Sequence, residues 1–383
     1  MKTPGLLVLL LFFAMGCHDG LDEEKPTQPG KTEFLEDPGP GNLAGKIIGT
    51  IHQQPLVGVH VEVNGKTTKT DSNGTFLLNG VGNGSFRVEI SGSQVYTRLV
   101  AINTNNGRSM LFDAIEINSS FHLGFYREIA RGNHPNEKDI YPTHRWINPM
   151  PPTFYIDTDA SATLDGVIDN DQIDAVKDVI EKVVPVFSGN TYMSVSIVLK
   201  PFSSLNFGRD IPDNSYVISF DDRLIWQLNL YGVAMTDPTF TSGHTNSINK
   251  TVIRVLDKMS YYDGNGLTFK EVVAHEMGHG FGFRHTSDST LLPSVMHKFG
   301  EFRGLYSELD RIHMNIVYSR PAGNMDIDTD PIPGDKSAGP IPGKQVFVDR
   351  LEITLAADEI ARLQALTNKI PADDLSKMLN NTY

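Results

Sequence analysis

His275-Glu276-Met277-Gly278-His279 sets two imidazoles four residues apart beside a carboxylate, and Gly282 and His285 complete the pattern H-E-x-x-H-x-x-G-x-x-H. On a helix, residues four apart lie one above the other, so His275 and His279 can reach one metal ion. Glu276 is one step round the helix, beside that ion but off it, where it can take a proton from an activated water. Gly282 can enter the left-handed backbone region that ends a helix. The chain then reverses and delivers His285 as a third nitrogen ligand, leaving the fourth position open for water. Three nitrogens with one open position predict a single catalytic Zn2+ and hydrolytic chemistry.

The pattern has five fixed letters, and its chance expectation over a chain of this length is about 10⁻⁴. Its surroundings agree with it. Thr268-Phe269-Lys270-Glu271 reads as a capping box that starts a helix one turn ahead of the histidines. Val273, Met277 and Phe281 recur at four-residue intervals and face a core, away from the metal. Two blander readings compete: a core helix with incidental histidines, and a structural zinc, which ordinarily closes all four positions with protein ligands.

The stretch His275 to Asp288 (HEMGHGFGFRHTSD), with Ser294-Val295-Met296, resembles the HEIGH family of metzincin peptidases, also called dual-action metallopeptidases. The likeness is specific over Leu267 to Arg320 and architectural over the rest of that domain. It implies zinc ligation by His275, His279 and His285, a general base at Glu276, and a Met-turn at Met296, eleven residues after His285. A methionine in such a turn gives the three imidazoles an apolar floor. The chain departs from astacin-like relatives two places after that methionine, where Lys298 replaces an oxyanion-binding tyrosine. Oxyanion stabilisation then rests mainly on zinc.

The chain has 383 residues, 39% hydrophobic and 21% charged, which suits soluble globular domains rather than disorder. Its formal charge of -13 repels phosphate backbones, so nucleic acid is not an expected partner. Residues 1–16 carry a lysine and a nine-residue apolar run, too short to span a bilayer, and read as a signal peptide. Ala14-Met15-Gly16-Cys17 resembles a bacterial lipobox, which implies acylation of Cys17 and a membrane anchor outside the cytoplasm. The expected location is the cell envelope, at the outer membrane. Asp22-Glu23-Glu24 resembles the export signals of surface lipoproteins, and reads equally as solvated linker. Cys17 is the only cysteine, so no disulfide is available.

Residues 17–42 form an acidic Pro/Gly tether. Residues 43–118 alternate with period two, as in Val57, Val59, Val61 and Val63. Asn64-Gly65, Asn73-Gly74 and Asn83-Gly84 mark hairpin turns, which predicts a small antiparallel sandwich. This region resembles the carboxypeptidase regulatory-like family, usually an accessory domain. His52 and His60 read as surface residues of its strands. Residues 119–152, rich in proline, read as a linker or an inhibitory segment, or as the first layer of the next domain.

Residues 153–320 order strand, helix, strands and the histidine helix, as the metzincin likeness requires: an α+β fold with a twisted mixed sheet and an active-site helix. Asp157, Asp159, Asp165, Asp169 and Asp171 invite calcium, but they lack EF-hand spacing and read better as turn and cap residues. Residues 321–383 read as a Pro/Gly linker, then a strand over Gln345 to Leu355 and a helix over Ala357 to Thr367.

The expected activity is zinc-dependent endoproteolysis of a protein or peptide substrate. That substrate would be extended along an edge strand, for which Gly232, Val233, Ala234, Met235 and Thr236 are the candidate. The alternative is a surface adhesin whose zinc domain is not catalytic. A zinc amidase or deacetylase fits less well, because the third ligand is a histidine six residues after the second.

Overall fold

The computed structural model describes residues 37–352, apart from 106–107, 118–119, 133–140, 204, 206–209, 225–229, 238–245, 258–267, 288–291, 299–301 and 333–346. The expected signal peptide, Cys17, most of the expected tether and the expected helix over 357–367 lie outside the described residues. No helix among those described is long and apolar enough to cross a membrane. The fold is mixed α+β and richest in sheet, with four helices among the described residues.

The N-terminal strands are β1 (Leu43–Gly49), β2 (His60–Val63), β3 (Lys66–Lys69), β4 (Thr75–Leu78), β5 (Ser85–Gly92), β6 (Val95–Asn103) and β7 (Arg108–Ala114). The period-two alternation buries Val59, Val61, Val63, Val88 and Ile90 completely, while Val57 precedes β2 and is exposed. Asn64 and Gly65 both take positive φ, 48° and 72°, as the tight β2–β3 turn demands.

One sheet of this region has the order β4-β1-β7. A two-residue strand from much later in the chain, β15 (Asp328–Thr329), joins the other, whose order is β15-β6-β5-β2-β3. The expected all-antiparallel sandwich needs correcting at two pairs. β1 runs parallel to β7, and β15 runs parallel to β6. Alternation of apolar residues fixes which face is buried and carries no information about strand direction.

The described residues among 120–152 form a structural layer rather than a linker. Helix α1 (Leu123–Arg131) buries Phe125, Tyr126 and Ile129, and Trp146 of the two-residue strand β8 (Arg145–Trp146) is fully buried. The Pro-rich composition of the segment hid that apolar face. Gly132 closes α1 in the left-handed region at φ 66°.

The strands of the larger sheet are β9 (Thr153–Asp157), β10 (Ser196–Lys200), β11 (Ser215–Phe220), β12 (Leu230–Asp237), β14 (Lys250–Val255) and β16 (Phe347–Glu352), and β13 (Ser247–Ile248) pairs apart with β8. Their order across the sheet is β10-β9-β11-β14-β12-β16. β10, β9, β11 and β14 run parallel, whereas β12 is antiparallel to β14. Helix α2 (Asn170–Phe187) buries Ile173, Val176, Ile180 and Val183, the residues its helical spacing selects. Helices α3 (Phe269–Gly280) and α4 (Glu308–Ser319) join it in one core with the sheet.

Residues 321–330 are likewise no linker, because they close a buried ionic junction. Arg320 is fully buried and binds Asp328 through two hydrogen bonds of 2.7 and 2.8 Å. It also reaches Asp113 of β7 at 2.6 Å. Arg98 of β6 pairs with Asp113 and lies 3.6 Å from Asp330. Burial would push the Asp113 carboxyl up, but Arg320 and Arg98 hold it below the usual carboxylate range.

Candidate metal centre

Helix α3 begins as its sequence predicts. Thr268 Oγ1 accepts from the Glu271 amide at 3.3 Å, and Glu271 Oε2 accepts from the Thr268 amide at 2.7 Å. Val273, Met277 and Phe281 are fully buried, so the four-residue apolar spacing anchors the helix against the core. Gly282 comes next with φ 96°, and a Cβ there would overlap the backbone carbonyl of His144. Both constraints favour glycine at the point where the chain turns toward His285.

The three histidines converge. Their Nε2 atoms are 3.1 Å apart for His275–His285, 3.1 Å for His275–His279 and 3.2 Å for His279–His285. Among the described residues this is the one group of three or more potential ligands able to hold a metal. Tetrahedral zinc with bonds of 2.0–2.1 Å would space its nitrogens by about 3.3 Å, so the observed spacing suits that ion.

The proton positions agree. His275 Nδ1 is 2.6 Å from the Val295 carbonyl and His279 Nδ1 is 2.8 Å from the Phe283 carbonyl. A carbonyl only accepts, so each Nδ1 carries a hydrogen, which in the neutral ring leaves the Nε2 lone pair for the centre. Lone pairs placed this closely repel unless a cation lies between them.

Small residues let the neighbours close in. A Cβ on Gly278 would overlap Met296 Sδ, which places that methionine against the helix below the histidines. A Cβ on Gly232 would lie 2.6 Å from Cγ and Oε1 of Glu276, so β12 passes directly beside this carboxylate. Glu276 is fully buried. Lys298 is half-buried just beyond the turn.

Several supports escape the motif. Asp310 is fully buried and accepts from Ser294 Oγ at 2.6 Å and from the Val295 amide at 2.9 Å. It thereby fixes the carbonyl that orients His275. Burial pushes the Asp310 carboxyl up, against these hydrogen bonds. Its one signal in the sequence is the spacing Ser307-x-x-Asp310, which caps α4.

Three carbonyls at the end of α3 are met by side chains. Tyr216 Oη donates to Met277 O at 3.1 Å, Trp146 Nε1 to Gly280 O at 2.9 Å and Tyr318 Oη to Phe281 O at 3.1 Å. Burial, then the nearby Glu276 charge, keeps the Tyr216 phenol far above its usual range. Glu128 of α1 holds the loop after His285 by accepting from Ser287 N and Oγ at 2.9 and 2.6 Å.

Other expectations fall elsewhere. Gly232 and Ala234 lie buried in β12, but the stretch Gly232–Thr236 is not a bare edge, because β16 pairs along its outer side. Alternation within β12 could not reveal this, since it does not encode which distant strand will pair alongside. Asp157, Asp159 and Asp165 cap turns, accepting from the amides of Asp159, Ser161 and Val167 respectively. His52 lies beside Glu116 in a turn, and His60 is on β2.

No family model matches the chain, and no curated protein does. Among solved structures, part of it is similar to a chain of a type II cohesin–X–dockerin complex from Acetivibrio cellulolyticus. There the identity is 26% over 19% of this chain and 51% of the other, with a TM-score of 0.15. This chain thus spans about half the length of that relative. A putative carbohydrate-binding protein from Bacteroides uniformis shares 17% identity over 21% of this chain and 42% of the other, at a TM-score of 0.17. A 9R-lipoxygenase from Cyanothece shares 12% over 44% and 26%, at a TM-score of 0.16.

Proposed function

We propose that the protein is a zinc endopeptidase of metzincin type, exported and held at the cell envelope by lipid on Cys17. One observation carries the reading: three imidazole Nε2 atoms within 3.2 Å of one another, two of the rings oriented by backbone carbonyls. A buried carboxylate one residue from the first ligand completes the set. His275, His279 and His285 would hold the ion. Zinc, when bound there, acidifies water and polarises a carbonyl.

The chain's own residues supply the rest. Glu276 takes the proton from the attacking water and passes it to the departing amine. Its position against Gly232 keeps the carboxylate facing the strand along which a peptide would lie. Met296 and Asp310 keep the imidazoles from shifting as charge moves through the site.

The test compares full-length protein with Glu276→Ala for bound zinc and for casein cleavage. Both are expected to bind about one zinc per chain, while cleavage falls about 10²–10⁴-fold in the variant. Undiminished cleavage by Glu276→Ala would falsify the assignment.

A further inference from the structure

β12 is the strand nearest the catalytic carboxylate, and its outer side is already taken. β16 pairs antiparallel along it, with Phe347 opposite Thr236, Val348 opposite Met235, Asp349 opposite Ala234 and Arg350 opposite Val233. Leu351 then stands opposite Gly232, the residue whose Cβ would touch Glu276. The β16 backbone therefore passes the catalytic carboxylate at about one strand spacing, roughly 5 Å, from β12. A register shift between Leu230 and Gly232 comes immediately after, so the ladder is regular up to this point and irregular beyond it.

An extended peptide would recognise β12 through the same main-chain donors and acceptors. One strand edge can satisfy only one partner at a time. We infer that β16 is an internal competitor for substrate: the chain's own C-terminal strand fills the peptide-binding edge, and cleavage requires its displacement. This rests on the peptidase reading and adds a regulation to it.

The connection between β15 and β16 makes the competition intramolecular. A strand that would bind the edge at about 0.1 mM on its own, tethered at an effective concentration of about 1 mM, occupies it about ten to one. The opposite edge of the sheet has no such guard among the described residues. There β10 pairs only with β9, and it lies far along the sheet from α3.

The test uses full-length protein carrying Val348→Pro with Asp349→Pro. Successive residues of a strand turn their amides to opposite sides, so one of the two prolines must remove a ladder donor. With about one zinc still bound, casein cleavage is expected to rise about tenfold. A rate at or below that of the native chain, in folded zinc-bound protein, overturns the inference. If the prolines prevent folding, Ala234→Cys with Asp349→Cys decides. Oxidation should abolish cleavage and dithiothreitol restore it, and cleavage indifferent to oxidation overturns the inference. Should no form cleave casein although zinc is bound, the peptidase reading itself fails. A fluorescein-labelled peptide of residues 344–355 then isolates the edge: binding to the proline variant but not to the native chain upholds self-occupation, and equal or absent binding refutes it.

Discussion

Two of the buried polar centres among the described residues are built on opposite plans. At the junction of the sandwich with residues 320–330, Arg320 meets Asp328 and Asp113, and Arg98 meets Asp113 and Asp330. Cations and carboxylates there answer one another within the chain. At the histidine centre three imidazoles turn their Nε2 atoms to one point, with a carboxylate as their neighbour rather than a guanidinium. The first arrangement is complete as translated and holds the fold together. The second could hold a positive ion supplied from outside. Burial alone does not distinguish function from structure; the sign and closure of the buried charges do.

The sharpest way to break this contrast is Gly232→Val. The new side chain would drive into Glu276 while leaving the three imidazoles in place, so casein cleavage is expected to fall at least about 100-fold with zinc retained. Loss of zinc in parallel would mean that the two parts of the site are not separable.

Next comes Arg320→Ala, which strands Asp328 and leaves Asp113 to Arg98 alone. Urea unfolding should show about 3–5 kcal/mol of lost stability, with the zinc stoichiometry of the folded fraction unchanged. Removing zinc with a chelator should act on the other centre. It should lower the unfolding temperature of the native chain by an amount that grows with the zinc concentration first present, whereas His279→Ala should be insensitive.

The smallest effect is a slope. Asp222 faces Asp257, and burial, then the hydrogen bond and charge of that neighbour, raise its carboxyl to about 8. This pair is closed by a proton rather than by a cation. The folded chain keeps that proton where the unfolded chain has released it, so this group's contribution to stability is full below about pH 4 and declines as pH rises toward about 8. In Asp222→Asn the decline should flatten, as followed by denaturant midpoints across that range.

The histidine helix was legible because each requirement is local. A cap, a four-residue apolar spacing and a glycine at the turn are all written within Thr268 to His285, and α3 obeys them. The order strand, helix, strands ahead of it is legible for the same reason. The supports of the centre were not. Asp310, Tyr216 and Glu128 act on loops and carbonyls far from them in sequence, through hydrogen bonds that leave no periodic trace. Residues 119–152 and 321–330 misled by composition. Their prolines and polar residues suggest solvent, yet Phe125, Trp146 and Asp328 are buried because distant partners cover them.

β15 adds only two residues to the edge of the sandwich sheet, yet it sets a timetable. Leu99 and Thr329 pair across roughly 230 residues of chain. At ribosomal rates the first of them waits on the order of 10–50 s for the second to emerge. Until then the outer strand of an early-made sheet has no neighbour, and whatever escorts the nascent polypeptide must keep that flank from finding another.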